Sequence, residues 1–366
     1  MSERIVVAMS GGVDSSVAAA LLAEEGHTLV GVTLRLHQGP DAHGQRAGCG
    51  SDGSTRARAV AGRLGFSHHV LDCVHAFENL VLLPAWREYA AGRTPSPCLL
   101  CNERVKFGLL LEWAAQLGIA RVATGHYARV ERDAQGRPAL LRGCDVAKDQ
   151  SYFLAGLARA QLERALFPVG HLRKPEVRAL AQRHGLPTAE TPESQDACLV
   201  APGESFAEML RQRFAAPARP GRIVDDDGRV VGQHAGIHLF TIGQRKGLPA
   251  GAPARRWVRA ISAETGQVTV TSDPNKILGT ELLARDVSWF PGELPAQWLS
   301  CAVQVRYRHA GEPARVRKLG EGVLAVTLDQ PAKAITPGQA AVFYDGDLVL
   351  GGGIIESGRK GPKDNP

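Results

Sequence analysis

Apolar residues fall into two different rhythms along this chain. Arg4 to Met9 is a short apolar run that predicts a strand. After the Gly-rich turn that follows it, Val13, Val17, Ala20 and Leu21 lie on one helical face. Thr28 to Leu34 predicts a second strand, Ala57, Val60, Ala61 and Leu64 a second helix, and His69 to Leu71 the start of another strand. Phe107, Leu110, Leu111 and Ala114 mark a further helix with Asn102 as its expected N-cap, and Arg121 to Thr124 a further strand. Lys174-Pro175 opens one more helix, with Val177, Leu180 and Ala181 inward and Gly185 beyond its end. Strands alternating with helices imply an α/β fold, a parallel sheet covered by helices.

Beyond about residue 205 the rhythm shortens. Arg222 to Val224, Gln267 to Thr271, Ala302 to Arg306, Val323 to Leu328 and Ala341 to Tyr344 alternate as strands, with hairpin signals at Asp227-Gly228 and Asp345-Gly346. The expected division is an α/β domain over 1–204, a small central β domain over 205–280 and a C-terminal β-barrel over 281–358. From Ser357 the pattern stops, and residues 359–366 are expected to be a disordered tail. The Gly-rich, polar segment from Gln38 to Ser54 is expected to be a mobile loop. Trp86, Tyr89 and Trp113 sit at helical spacing as core residues, and His68-His69 reads as surface.

Composition narrows the class. The 366 residues carry 43 basic and 37 acidic side chains, a net charge of +6 that permits a polyanionic partner. The start of the chain lacks the pattern of a signal peptide, and no apolar stretch approaches the roughly 18 residues of a membrane span. A cytoplasmic protein with no membrane partner is expected. The seven cysteines, Cys49, Cys73, Cys98, Cys101, Cys144, Cys198 and Cys301, are odd in number and widely spread, unlike a secreted disulfide framework.

Two constellations carry chemistry. The first is Ser10-Gly11-Gly12-Val13-Asp14-Ser15-Ser16, between a strand and a helix. Glycines there let backbone N–H groups approach an anion, the helix dipole points at the same place, and three serines add hydroxyls. No Gly-Lys pair exists in the chain, so this is not a Walker A loop. Asp14 fits an anion site only if it holds a metal or shapes the turn. The heptad resembles the signature of the N-type ATP pyrophosphatases, which cleave ATP between the α- and β-phosphates and leave an adenylated substrate.

The second is Cys98-Leu-Leu-Cys101 at the start of a helix, with Cys198 far along the chain in a loop. A chance pair or a zinc site are the plainer readings, although zinc normally takes four ligands. Three cysteines also suit sulfur chemistry, or an iron–sulfur cluster with one iron open. Gly92-Arg-Thr-Pro-Ser-Pro-Cys-Leu-Leu-Cys-Asn, Ala123-Thr-Gly-His-Tyr-Ala-Arg, Lys148-Asp-Gln-Ser-Tyr-Phe-Leu and Phe167-Pro-Val-Gly resemble the tRNA-specific 2-thiouridylases that act on the wobble uridine. So do Thr241-Ile-Gly-Gln-Arg-Lys-Gly-Leu, Val305-Arg-Tyr-Arg and Thr336-Pro-Gly-Gln-Ala-Ala-Val-Phe-Tyr, in register from about residue 5 to residue 355.

The resemblance implies a set of roles. Ala8, Met9, Ser10, Gly11, Gly12, Val13, Asp14 and Ser15 would bind ATP phosphates with Mg²⁺, and Leu34 and Gly125 would line the adenosine pocket. Cys101 matches the nucleophile position and Cys198 the persulfide carrier. Ser96, Pro97 and Cys98 would face the target base. His126, Lys148, Asp149, Gln150, Arg306, Tyr307 and Gln339 match tRNA contacts. Read alone, His126 is a core or capping histidine, Lys148-Asp149 an exposed turn, and Arg306 and Tyr307 a solvated strand face. Cys49, Cys73, Cys144 and Cys301 match no motif and are read as structural.

One position departs from the family. The commoner Asn-Pro-Asp-x-x-Cys-Asn is here Ser96-Pro97-Cys98-x-x-Cys101-Asn102, as in the C-x-x-C subset of tRNA thiolases, which are iron–sulfur proteins. Cysteine is a far better iron ligand than a carboxylate. Cys98, Cys101 and Cys198 are therefore the candidate ligands of a 4Fe–4S cluster, against a persulfide relay between Cys198 and Cys101. The implied partners are tRNA and a sulfur carrier or donor fed by a cysteine desulfurase. The rival readings are an N-type ligase that transfers an amine, and a non-catalytic RNA-binding protein.

Overall fold

The computed structural model describes residues 2–37, 51–192, 205–248 and 255–359. The elements begin with β1 (Arg4–Ala8), α1 (Val13–Glu24), β2 (Thr28–Arg35), α2 (Ser51–Leu64) and β3 (Ser67–Asp72). A helical stretch follows, with α3 (Val74–Phe77), α4 (Leu83–Ala90), α5 (Pro97–Leu100) and, after a π-helical stretch over Cys101–Leu109, α6 (Leu110–Gln116). Then come β4 (Arg121–Ala123), β5 (Ala128–Arg132), β6 (Pro138–Arg142), α7 (Ser151–Leu154), α8 (Arg159–Arg164), β7 (Ala165–Leu166), α9 (Lys174–Arg183) and α10 (Phe206–Arg213). Apart from 3-10 turns over Ile237–Leu239 and Pro274–Ile277, the remaining elements are strands: β8 (Gly221–Val224), β9 (Val230–His234), β10 (Trp257–Ser262), β11 (Gln267–Thr271), β12 (Leu278–Trp289), β13 (Leu299–Gln304), β14 (Glu312–Gly320), β15 (Val323–Lys333), β16 (Ala340–Asp345) and β17 (Leu348–Arg359).

The residues form two units. The first takes Met1–Val81, Cys98–Pro202 and Asp347–Val349. Its centre is a five-stranded parallel sheet in the order β3-β2-β1-β4-β7. Ile5, Val6 and Val7 of β1 are all buried, the unbroken apolar run of a strand covered on both faces. Helix α1 is buried nearly all round, with Val17, Ala18 and Ala19 at 0% exposure, because it packs on the sheet and against α2 and α9. Helix α9 starts where Glu176 accepts the Arg173 N–H at 2.7 Å, and it stops before Gly185, which adopts φ +59°. Hairpin β5–β6 belongs to this unit and is extended by Leu348, which pairs with Leu141.

In the parallel sheet the chain turns one way from β1 to β2 and the other way to β4. The carboxyl ends of β1 and β4 thus flank a switch point, the usual ligand crevice of such sheets.

The second unit takes Leu82–Pro97, Gly203–Gly346 and Leu350–Pro366. Helices α4 and α10 meet through Tyr89 and Phe206, ring centroids 6.3 Å apart. A four-stranded sheet, β10-β11-β8-β9, closes over Ile223, Val258, Val268 and Val270, with Ile237 and Phe240 beneath. The strands β12-β15-β14-β13-β16-β17 then form a closed barrel, because β17 also pairs with β12. Closure removes the sheet edges, and Val303, Val316, Leu324, Val326 and Val342 fill the interior.

Four local expectations change. Ser51 to Ser54 begin α2 rather than ending a loop; residues 38–50 lie outside the described residues. Asn102 caps nothing, since the helical run begins at Pro97; it is 2% exposed and donates from Nδ2 to the Phe153 carbonyl at 2.9 Å. Arg306 and Tyr307 lie in a turn after β13 rather than on a strand. Ser357 to Arg359 still belong to β17, which pairs Ser357 with Leu283.

Candidate functional site: a phosphate loop and a helix-borne cysteine pair

The loop sits at the switch point. Ala8 ends β1, the Met9 N–H donates to the Val32 carbonyl at 2.7 Å, and Gly11 turns the chain with φ +76°. Only glycine fits at Gly11, because a Cβ there would lie 2.2 Å from the Gly53 oxygen. Hydroxyls brace the turn from inside. Ser15 Oγ donates to the Gly12 carbonyl at 3.1 Å and accepts the Ser10 N–H at 3.3 Å, and Ser16 Oγ donates to Gly12 at 2.9 Å. Val13 opens α1, so the loop lies at the positive end of that helix. Arg56 of α2 donates from Nε to the Gly11 carbonyl at 3.0 Å, while its shielded Nη2 meets no acceptor among the described residues.

The adenosine-pocket candidates flank this loop. The β1–β2 register pairs Ala8 with Val32, so Leu34 lies beyond the end of β1, and it is 6% exposed. Gly125 follows β4, and a Cβ there would stand 2.5 Å from the Ser15 nitrogen. Glycine thus lets the exit of β4 press against the first turn of α1.

Asp14 is the residue whose role the sequence left open. Lys174 Nζ donates to its two carboxylate oxygens at 2.6 and 2.7 Å, and the Tyr127 hydroxyl donates to Oδ1 at 2.7 Å. Lys174 is 8% exposed and Tyr127 3%. In the sequence Lys174 reads only as a helix start and Tyr127 only as part of a motif. A lysine at the first position of a helix, where the dipole disfavours a cation, is the signal that could have marked it.

His126 is 9% exposed, in contact with the rings of Phe107 and Phe167 at 6.2 and 6.1 Å, with Nδ1 bonded to Thr124 Oγ1 at 2.7 Å. Burial, with Lys106 adding to it, holds its pKa well below the ordinary histidine value, so the ring is neutral.

Cys98 is the second residue of α5 and is exposed, and Cys101 begins the π-helical stretch one turn later, partly buried. Widened turns of this kind concentrate at functional sites. Ser96 is buried, and Pro97 is partly buried. Cys198 lies outside the described residues, and among the described residues no three His, Cys, Asp or Glu side chains gather as a metal group. Burial raises the Cys73 thiol to about 11 and the Cys301 thiol to about 12, as inert structural cysteines require. Cys144 is exposed, so packing does not account for it, and Cys49 lies outside the described residues.

The segment leading into α5 is held from one side. Gln339 Nε2 donates to the Thr94 and Pro95 carbonyls, both at 3.0 Å, and the Thr94 N–H donates to the Pro337 carbonyl at 2.9 Å. Thr94 Oγ1 donates to Thr241 Oγ1 at 3.0 Å. Gly338, at φ +90°, lies against Thr94, where a Cβ would be 2.8 Å from the Thr94 oxygen.

The other tRNA-contact candidates divide by exposure. Asp149 accepts from Gly143 N and Ser151 N at 3.0 Å, from Arg142 Nη1 at 3.0 Å and from Ser151 Oγ at 2.9 Å, so both oxygens brace the turn before α7. Gln150 Oε1 accepts the Tyr127 N–H at 3.0 Å, and Lys148 is partly exposed. Arg306 is exposed, with Nη1 3.4 Å from the Lys333 carbonyl, and Arg308 lies over the Tyr307 ring at 5.5 Å. Nearby in sequence, Arg315 and Arg317 lie over the half-exposed Trp298 ring at 5.9 and 5.0 Å, a basic and aromatic surface that no sequence motif marks. No described helix is long and apolar enough to cross a membrane.

Three family models match the chain in succession. A tRNA methyl transferase HUP domain covers residues 3–202, a tRNA methyl transferase PRC-barrel domain 208–272 and an aminomethyltransferase beta-barrel domain 279–355. The chain is 45% identical over 360 residues to a tRNA-specific 2-thiouridylase MnmA of Geobacter metallireducens, covering 97% of both chains. It is 44% identical over 356 residues to one of Trichormus variabilis, covering 97% of this chain and 99% of that one. Among solved structures, an NMN synthetase from Francisella tularensis matches 60% of this chain and 79% of its own, at 15% identity and a TM-score of 0.34.

Proposed function

The chain belongs to the tRNA-specific 2-thiouridylase family, and from that premise we propose that it replaces the 2-oxygen of the wobble uridine of tRNA with sulfur, driven by ATP. The observation that carries this reading is the braced Gly11-Gly12 turn at the switch point, at the N-terminus of α1, in a chain aligned with thiouridylases over nearly its whole length.

The uracil 2-oxygen is a poor leaving group, so it must first be activated. Attack of that oxygen on the α-phosphate expels pyrophosphate and leaves an O-adenylated base. Residues Ala8 to Ser15 receive the phosphates, with Leu34 and Gly125 beside the adenosine. The loop's backbone N–H groups and the α1 dipole favour the charge that builds on the departing pyrophosphate. Mg²⁺ bound with the ATP would supply charge neutralisation, while the Asp14 oxygens are engaged by Lys174 and Tyr127. Sulfur then attacks C2 and AMP leaves.

For the sulfur step, Cys98, Cys101 and Cys198 are the reading's thiolates. Cys98 and Cys101, one turn apart at a helix start, are spaced to converge on one site. Together with Cys198 they would hold a 4Fe–4S cluster, whose open iron supplies a place to bind sulfide. Lys148, Arg306 and Tyr307 meet tRNA. Ser96 and Pro97 face the target base, with Gln339 holding the preceding backbone, and Asp149, Gln150 and His126 shape the neighbouring loops. A sulfur donor fed by a cysteine desulfurase completes the set of partners, and a tRNA substrate carries with it a cytoplasmic location.

The test is anaerobic purification with iron and sulfide analysis, followed by tRNA-dependent release of AMP and pyrophosphate. Wild type should contain iron and thiolate tRNA; Cys98→Ser should lose both. A colourless, iron-free sample that thiolates fully, with Cys98→Ser largely active, would replace the cluster with a persulfide relay between Cys198 and Cys101. Pyrophosphate release that ignores tRNA would sink the thiolation reading itself.

A further inference from the structure

The segment 8–16 contains no Lys, Arg or His, yet it would receive a polyphosphate. Its one ionisable group, Asp14, is an anion in the first turn of α1. A carboxylate at this place repels phosphate unless a cation stands with it. Lys174 is that cation: it bridges both Asp14 oxygens at 2.6 and 2.7 Å from the first position of α9.

Burial makes the arrangement a poor choice for structure alone. The Lys174 side chain is 10% exposed and that of Asp14 32%, and replacing a shielded ion pair by apolar groups is often neutral or stabilising. The pair is also unequal: Asp14 has the Tyr127 hydroxyl as a second donor at 2.7 Å, so the carboxylate is anchored without the lysine. The ammonium lies 5.7 Å from the centre of the Tyr127 ring, a face that tolerates a cation. A second observation at the turn also points to an anion. Arg56 reaches the Gly11 carbonyl with Nε, and its shielded Nη2 meets no acceptor among the described residues.

We propose that Lys174 is a nucleotide-binding residue of this site: the ammonium that Asp14 and Tyr127 hold beside the start of α1 engages the β- and γ-phosphates of ATP and stays with the pyrophosphate as it leaves. The inference rests on the adenylation reading above. It adds a residue that lies 160 positions along the chain from Asp14. A lysine is a point charge on a flexible stem, suited to follow a departing group over a short distance.

The experiment measures ATP binding by calorimetry, with magnesium and without tRNA, in wild type, Lys174→Met and the neutral double variant Asp14→Asn/Lys174→Met, each first checked by thermal unfolding. Lys174→Met should bind ATP about 10- to 100-fold more weakly, the range for loss of a charged hydrogen bond. The double variant should unfold near the wild-type temperature, since both members of the Asp14–Lys174 pair are neutral, and should still bind weakly. Wild-type affinity in Lys174→Met, or its recovery in the double variant, would overturn the proposal and leave the pair a structural one. Wild-type protein that binds no ATP would instead overturn the adenylation reading.

Discussion

His126 and Asp149 show how the surroundings of a side chain decide what it can do. His126 is neutral because burial among Phe107 and Phe167 penalises its charged form. Its folded pKa therefore lies below its unfolded value of about 6.5. Above that pH both states are neutral and nothing is lost. As pH falls below it, the unfolded chain binds the proton first and the folded state loses stability. Denaturant unfolding from pH 7.5 to pH 5 should show this decline, and His126→Gln should flatten it; an unchanged slope would mean the ring is not neutral in the folded protein. Asp149 accepts four hydrogen bonds, so Asp149→Ala should cost about 2–3 kcal/mol, read from the same denaturant midpoints. Sequence motifs single out both positions. They offer no way to see that the polar atoms turn inward, because that is decided by residues such as Thr124 and Arg142 packing onto them in the folded chain.

Among the elements, the first strand, the glycine turn and α1 were legible because the apolar period changes across a Ser-Gly-Gly break. The run from Pro97 to Gln116 was not: its π-helical middle has a wider turn, so its apolar positions slip out of the 3.6-residue pattern and the helix looks as if it begins late. The close approach of β4 to α1 was equally hidden, since no local pattern records how near two backbones come. It carries a prediction. A methyl at Gly125 would stand 2.5 Å from the Ser15 nitrogen, and backbone cannot move aside cheaply. Gly125→Ala should push the first turn of α1 out of place, lowering ATP affinity at least about tenfold and stability by about 1–3 kcal/mol. Calorimetric titration with ATP checks this, and wild-type affinity would show that the loop tolerates displacement.

For the whole molecule, the basic surface on the barrel unit is where a polyanion is expected to bind. Arg306, Arg315 and Arg317 are exposed, two of them over Trp298. Reversing all three to Glu should weaken tRNA binding and reduce its dependence on salt by about one unit of slope for each phosphate no longer neutralised. ATP binding should be unaffected. Retention of wild-type tRNA affinity across a salt series would remove this surface from the reading. Point changes are the cleaner test, because cutting the chain at residue 281 would also delete Asp347 to Val349, which belong to the first unit.

That last strand segment bears on how the protein is made. The partner that Leu141 of β6 finds in Leu348 emerges from the ribosome only after the roughly 200 residues between them have been made. Until then the nascent first unit carries a bare strand edge, the kind of surface that recruits stray strands from neighbouring chains. Slow translation or high expression should therefore be the condition that traps this protein in inclusion bodies, and a chaperone that shields β6 while the barrel is being translated would matter more to its yield than to its final stability.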